Sequence, residues 1–170
     1  MVNAPVIKIF VAGEGGVGKT TLIKRYVDGI FDANTIMTIG ANFAVKKMIT
    51  KKGTEIHLQI WDLGGEERFR FILPMYIKGS SGGIICFDTT RYTSLKNLKE
   101  GWLQTIKEIL PNAPIVLIGT KTDLPESNVN MKEFEVFVKE FNIHGPIMTS
   151  SKTGENVDKA FQLVSDLTDY

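Results

Sequence analysis

Residues Gly13-Glu14-Gly15-Gly16-Val17-Gly18-Lys19-Thr20 spell G-x-x-x-x-G-K-[ST], directly after the apolar run Val6–Ala12. A strand followed by this loop and a helix is the context in which the pattern cradles phosphate. The glycines let backbone N–H groups turn inward around phosphate oxygens. Lys19 brings a point charge to β- and γ-phosphates, and the Thr20 hydroxyl, with Thr21 beside it, is placed to ligate Mg²⁺. Gly13, Gly15 and Gly18 also spell G-x-G-x-x-G, a dinucleotide-binding turn. That turn wants an acidic residue about 20 positions on. The segment there, Ile36-Met37-Thr38-Ile39-Gly40, has no carboxylate, so the phosphate-loop reading is favoured.

Three further segments could serve the same ligand. Asp62 ends an apolar strand and precedes Leu63-Gly64-Gly65-Glu66-Glu67. A carboxylate there can hold Mg²⁺ through water, and the Gly65 N–H can reach a γ-phosphate. The plainer reading is a strand-end aspartate capping a turn. Thr38 could complete the metal shell, or be an ordinary loop threonine. Thr120-Lys121-Thr122-Asp123 follows another strand. The Asp123 carboxylate can accept from the N1–H and C2 amine of guanine, donors that adenine lacks. A site built for those donors rejects the wrong base by roughly 10⁴ or more. The Lys121 stem can lie along the base.

These segments need a sheet to bring them together. Near-continuous apolar runs at Val6–Ala12, Gly83–Asp88 and Ile115–Gly119 read as buried strands, and Pro146–Thr149 as a short last one. Phe43–Thr50 and Thr54–Asp62 flank Lys51-Lys52-Gly53 as a hairpin. Helical spacing marks Lys19–Asp28, a helix capped by Ser94 and running to about Leu110, one capped by Asn130, and a last one carrying Val157, Ala160, Phe161, Val164 and Leu167. Phe31–Gly40 reads as a loop. The expected fold is α/β, a six-stranded, mostly parallel sheet with one antiparallel strand and helices on both faces. Ligands of such sheets lie beyond the carboxyl ends of the strands. Asp62, Asp88, Thr120–Asp123 and Thr149–Lys152 all end strands there.

The 170 residues fit one domain, 1–170, with 43% hydrophobic and 23% charged residues and a net charge of +1. That balance gives no argument for nucleic acid. No stretch nears the ~18 apolar residues of a membrane span. The lone Cys86 sits in an apolar run, suiting burial and a reducing compartment. His57 and His144 lack metal-ligand spacing and read as surface or turn residues, and no C-x-x-C or H-E-x-x-H occurs. The start Met-Val-Asn-Ala reads as neither signal peptide nor myristoylation site, and the last four residues have no cysteine to prenylate. A cytoplasmic monomer is expected, peripheral to membranes only if a lipidated tail lies beyond this sequence.

Taken together, the ordered motifs resemble the Ras superfamily of small GTPases across essentially the whole chain, most closely its Rab branch. Asp62-Leu63-Gly64-Gly65 resembles the D-x-x-G of switch II, Thr120–Asp123 the N/T-K-x-D motif, and Ser150-Ser151-Lys152 the S-A-K base loop. Thr38 follows Phe31 as the switch I threonine follows the aromatic that packs on the base. Ile39-Gly40-Ala41-Asn42-Phe43, Glu67-Arg68-Phe69-Arg70 and Thr153-Gly154-Glu155-Asn156-Val157 resemble Rab segments. The resemblance implies P-loop NTPase G-domain architecture, GTP/GDP and Mg²⁺ binding, slow GTP hydrolysis and roles in signalling and vesicle trafficking. It also implies effector, exchange-factor and GTPase-activating partners. It assigns the nucleotide to Gly13–Thr21, Phe31, Thr38, Asp62, Gly65, Thr120, Lys121, Asp123 and Ser150–Lys152, and hydrolysis to position 66 with Lys19, Gly65 and Thr38.

The departures bear on mechanism. The family's water-orienting glutamine is Glu66, an alanine of the switch II turn is Gly64, which should loosen it, and the base-motif asparagine is Thr120. A carboxylate ~4 Å from a phosphate charge costs about 4 kcal/mol at an effective dielectric of 20. Altered hydrolysis with retained GTP binding is the expectation; a GTP-bound interaction module that barely hydrolyses is the alternative. A phosphate-loop kinase would need an Arg-rich lid, which is missing. No Arg or Lys lies between Phe31 and Asn42 to act as an arginine finger. For partners, Ile39, Phe43, Trp61, Phe69 and Tyr76 match effector positions. Alternation along Glu55–Trp61 puts Trp61 on the wet side with His57 and Gln59, unless the switch II helix covers it.

Overall fold

A computed structural model describes residues 4–168. The readings that rest on Met1-Val2-Asn3 and Asp169-Tyr170 lie outside the described residues. The strands are β1 (Val6–Ala12), β2 (Ala41–Ile49), β3 (Glu55–Leu63), β4 (Gly82–Asp88), β5 (Ile115–Thr120) and β6 (His144–Met148). They form one sheet in the order β2-β3-β1-β4-β5-β6, with β2 antiparallel to β3 and every other pair parallel. The helices are α1 (Lys19–Asp28), α2 (Leu73–Ile77), α3 (Thr93–Leu98), α4 (Gln104–Ile109), α5 (Met131–Glu140) and α6 (Val157–Asp166). This is the α/β architecture expected from the alternation of strand and helix patterns.

Burial explains the patterns. Every residue of β4 and β5 is buried, because helices cover both faces of the sheet there. On β1, Ile7, Ile9 and Val11 face one layer, packed with Leu22 and Tyr26 of α1 and Phe161 and Val164 of α6. Tyr26 stacks on Phe161 with ring centroids 4.1 Å apart. Phe10 and Ala12 face the other layer, with Ile77 of α2, Leu98 of α3, Ile106 of α4 and Phe134 of α5. The period of two along β1 thus divides the core into two halves. Asn130 caps α5 as expected, its side chain accepting from the Glu133 N–H.

Several expectations are corrected. Ser94 does not cap its helix; Tyr92 occupies that position. Ser94 is fully buried, and its hydroxyl instead accepts from the Asp88 N–H at 2.9 Å and donates to the Arg91 carbonyl at 2.6 Å, tying the end of β4 to α3. The expected single helix to Leu110 is broken by a wide π-type turn over Lys99–Leu103 and ends at Ile109. There the Arg70 guanidinium lies against the bare backbone of Gly101, over the Trp102 ring at 5.2 Å. The last strand starts earlier than read, at His144, and His57 is a half-buried strand residue rather than a surface or turn one.

The Trp61 side of β3 is not simply wet. Trp61 is half-buried, with Phe43 at 5.5 Å, Tyr76 at 5.8 Å and the Lys8 ammonium 4.9 Å from its ring centre. Helix α2 supplies Tyr76, so cover and the aromatic grouping coexist. Gly64 also differs from its reading. It is buried, donates its N–H to the Gly40 carbonyl at 2.8 Å, and a Cβ there would sit 2.7 Å from the Thr38 carbonyl. The glycine admits the neighbouring loop rather than loosening the turn.

Candidate functional site

Parallel strands deliver their carboxyl ends to one edge, and the phosphate loop leaves β1 at that edge. A cavity of about 620 Å³ opens there, within the range of about 300–1,000 Å³ typical of small-molecule sites. Helix α1 begins behind Gly18 with no side-chain cap, leaving first-turn N–H groups without a capping side chain. Lys19 is buried and donates to the Gly13 and Glu14 carbonyls at 2.8 and 2.9 Å, which bends the loop around its ammonium. Burial lowers the Lys19 pKa, and the charges of Asp62 and Glu14 oppose that shift.

Thr20, Thr38 and Asp62 meet although they come from three separate segments. The Thr20 hydroxyl donates to Asp62 Oδ2 at 2.5 Å and lies 2.8 Å from the Thr38 hydroxyl; Thr38 donates to the same carboxylate oxygen at 3.2 Å. Asp62 Oδ1 is buried with no hydrogen-bond partner. Burial raises the Asp62 pKa, offset by Thr20, Lys19 and Thr38. Two hydroxyls and a carboxylate with an unpaired buried oxygen are hard donors that suit Mg²⁺, an ion that keeps several waters and takes phosphate oxygens. No cluster of three or more His, Cys, Asp or Glu exists among the described residues, so an all-protein metal cage is not built there.

The other end of the cavity is assembled from β5 and β6. Thr120 is buried, its hydroxyl donating to the Val17 carbonyl at 2.6 Å and lying 3.0 Å from the Phe87 carbonyl. It thereby ties the base motif to the phosphate loop. Lys121 spans the gap, donating to the Gly16 carbonyl at 2.8 Å and pairing with Asp88 at 2.7 Å. Burial alone would raise the Asp88 carboxyl, but hydrogen bonds from Lys121 and Thr90 outweigh it and hold the pKa below its ordinary value. The Ser150 hydroxyl donates to Asp123 Oδ1 at 2.7 Å, orienting that carboxylate. Phe31, Ser151 and Lys152 line the same space.

Gly65 joins the two ends of the phosphate corner. Its carbonyl accepts from the Gly15 N–H at 3.2 Å, and a Cβ would fall 2.3 Å from that nitrogen, so no other residue fits without moving the loop. Gly13, Val17, Asp62 and Ser150 stand behind the cavity wall, not in it. Glu14 and Glu66 face a second cavity, of about 580 Å³, which shares only Gly15, Met37 and Gly65 with the first. Glu66 is held by the Arg68 guanidinium. Sequence reasoning missed Leu124 and Asp32 in the first cavity and Arg91 and Asn97 in the second. Leu124 and Asp32 directly follow Asp123 and Phe31, so adjacency could have found them; Arg91 and Asn97 have no such signal and are brought in by topology.

A family model described as the Ras family matches residues 8–168. The chain belongs to the Ras family. Among its relatives in that family, the Ras-related protein Rab-1 of Theileria parva is 39% identical over 161 residues, covering 94% of this chain and 73% of the relative. Rab-27B of Homo sapiens is 34% identical over 175 residues, covering 95% and 79%. The Ras-related protein SEC4 of Saccharomyces cerevisiae is 34% identical over 163 residues, covering 95% and 74%. Within the Ras family the chain therefore groups with the Rab branch. It is a small GTPase, in a family that binds guanine nucleotides and hydrolyses GTP.

Proposed function

We propose that this chain, as one G domain, is a molecular switch that binds GTP or GDP with Mg²⁺ and hydrolyses GTP slowly. The observation that carries the reading is the convergence of Lys19, the Thr20–Thr38–Asp62 cluster and the Ser150-oriented Asp123 on one cavity. In this reading Lys19 and the loop N–H groups of Gly16 and Gly18 to Thr21, which line the cavity, grip the phosphates. Thr20 and Thr38 would hold Mg²⁺, with Asp62 acting through water; the ion would supply positive charge that neutralises the phosphates. The Gly65 N–H meets the γ-phosphate. Phe31 and the Lys121 stem flank the base, Asp123 accepts from its donors, and Ser151 and Lys152 close the pocket.

Hydrolysis leans on Glu66, which stands where the family's glutamine orients the attacking water. Its carboxylate is engaged by Arg68, and its charge would repel the γ-phosphate if it swung inward. Glu66→Gln is therefore expected to raise the single-turnover hydrolysis rate, by about tenfold or more. Measuring phosphate release from one loaded equivalent of GTP tests this; an equal or lower rate contradicts it. The Glu66–Arg68 pairing also favours a second reading, a GTP-bound interaction module with little turnover. Phosphate release followed over hours separates the two.

The partner surface in this reading is apolar and spans both switch segments. Ile39 is 73% exposed, Phe43 61% and Phe71 79%, next to half-buried Trp61, Phe69 and Tyr76. Exposed apolar area of this kind suits protein partners, here effectors, exchange factors and GTPase-activating proteins. No described helix is long and apolar enough to cross a membrane. A cytoplasmic protein with peripheral membrane contact fits the Rab-type relatives.

A further inference from the structure

The phosphate loop carries a carboxylate of its own, Glu14, and the fold treats it as a charge to be balanced. Its Oε1 accepts from the Asn97 amide of α3 at 2.8 Å. Its Oε2 is buried and takes no hydrogen bond. The compensation comes from Arg91, whose Nη2 lies 3.5 Å from Glu14 Oε2 and donates to the Gly15 carbonyl at 2.9 Å. Arg91 is held for this task by the turn after β4. Its backbone N–H donates to the Asp88 carbonyl at 2.9 Å, and its own carbonyl accepts from the Ser94 N–H and hydroxyl. Asp88 in turn accepts from the Thr90 N–H and hydroxyl at 2.9 and 2.7 Å.

We propose that the Arg91–Glu14 pair sets the preference of the phosphate loop for a nucleoside triphosphate over a diphosphate. The inference rests on the proposed reading of the first cavity, in which the γ-phosphate meets Gly65. Gly15, the residue that Arg91 holds, donates its N–H to the Gly65 carbonyl, so the pair sits at the γ-phosphate end of the loop. Without Arg91, the Glu14 charge stands uncompensated beside the one phosphate that distinguishes GTP from GDP. The diphosphate, ending further from this corner, feels it less. Arg91 is thus a positioning and specificity residue, acting through the loop, and it comes from a segment the phosphate loop does not predict.

The test compares GTP and GDP affinities, by competition against a fluorescent guanine nucleotide, across variants of the full chain. Arg91→Ala is expected to lower the GTP-to-GDP affinity ratio roughly threefold to tenfold. Glu14→Gln, which keeps an acceptor for Asn97, is expected to raise that ratio by a similar factor. The double variant is expected to return it to the wild-type value, and the single-variant shifts to shrink at high salt. An unchanged ratio in both single variants overturns the proposal. So does an equal loss of both nucleotides that the second substitution fails to rescue, which marks a merely structural contact. Wild-type protein that binds both nucleotides while the ratios stay fixed overturns only this inference. Wild-type protein that binds neither overturns the proposed function as well.

Discussion

Replacing Asp123 with asparagine is expected to cut the preference for GTP over the xanthosine triphosphate by roughly 10³–10⁴. Guanine presents two donors, N1–H and the C2 amine, and a carboxylate can accept both. Xanthine keeps N1–H but carries an oxygen at C2. Asparagine can accept from the first and donate to the second, so the variant suits xanthine and leaves guanine facing a like donor. The Ser150 hydroxyl, 2.7 Å from Asp123 Oδ1, still finds an acceptor in the amide, so the loop keeps its shape. Competition of GTP, XTP and ATP against a fluorescent nucleotide reads the change. An Asp123→Asn protein that still prefers GTP by the wild-type factor removes this residue from base recognition.

Lys19→Met should weaken binding of either guanine nucleotide about thirtyfold or more, since losing one partner of a buried, charge-assisted contact costs about 2–5 kcal/mol. Methionine fills most of the lysine stem but supplies no ammonium. The Gly13 and Glu14 carbonyls that Lys19 now satisfies would lose their donor, so the empty loop should also relax. Both nucleotides should lose affinity together, because the ammonium serves the phosphate chain as a whole. That separates this variant from Arg91→Ala, which acts on their ratio. Titration calorimetry on the nucleotide-free protein provides the check, and a loss below about threefold would show that the ammonium is not the clamp.

What could be read from the chain depended on range in sequence. The phosphate loop is local, and so are the apolar runs of β1, β4 and β5, where burial on both faces leaves Lys8 of β1 as the one charged residue inside a run. The meeting of Thr20 with Asp62, 42 residues apart, followed from topology, since parallel strands deliver their ends to one edge. Contacts made by surfaces that only exist once helices have packed were not readable. Trp61 alternates as a solvent-side residue, and only the placement of α2 brings Tyr76 over it. Gly64 reads as a loose turn residue until the Thr38 and Gly40 carbonyls are seen pressed against it. Ser94 has the composition of a helix cap, yet its hydroxyl is taken by the end of β4. Arg91 reaches Gly15 across 76 residues, with no spacing rule to announce it.

The molecule that fills the cavity between Lys19 and Asp123 decides the function. Denaturing the purified protein and chromatographing the released small molecules identifies it directly. Guanine nucleotide, GDP or GTP, close to one equivalent per chain is the expected result. Recovery of an adenine nucleotide or a dinucleotide in that amount would contradict the account.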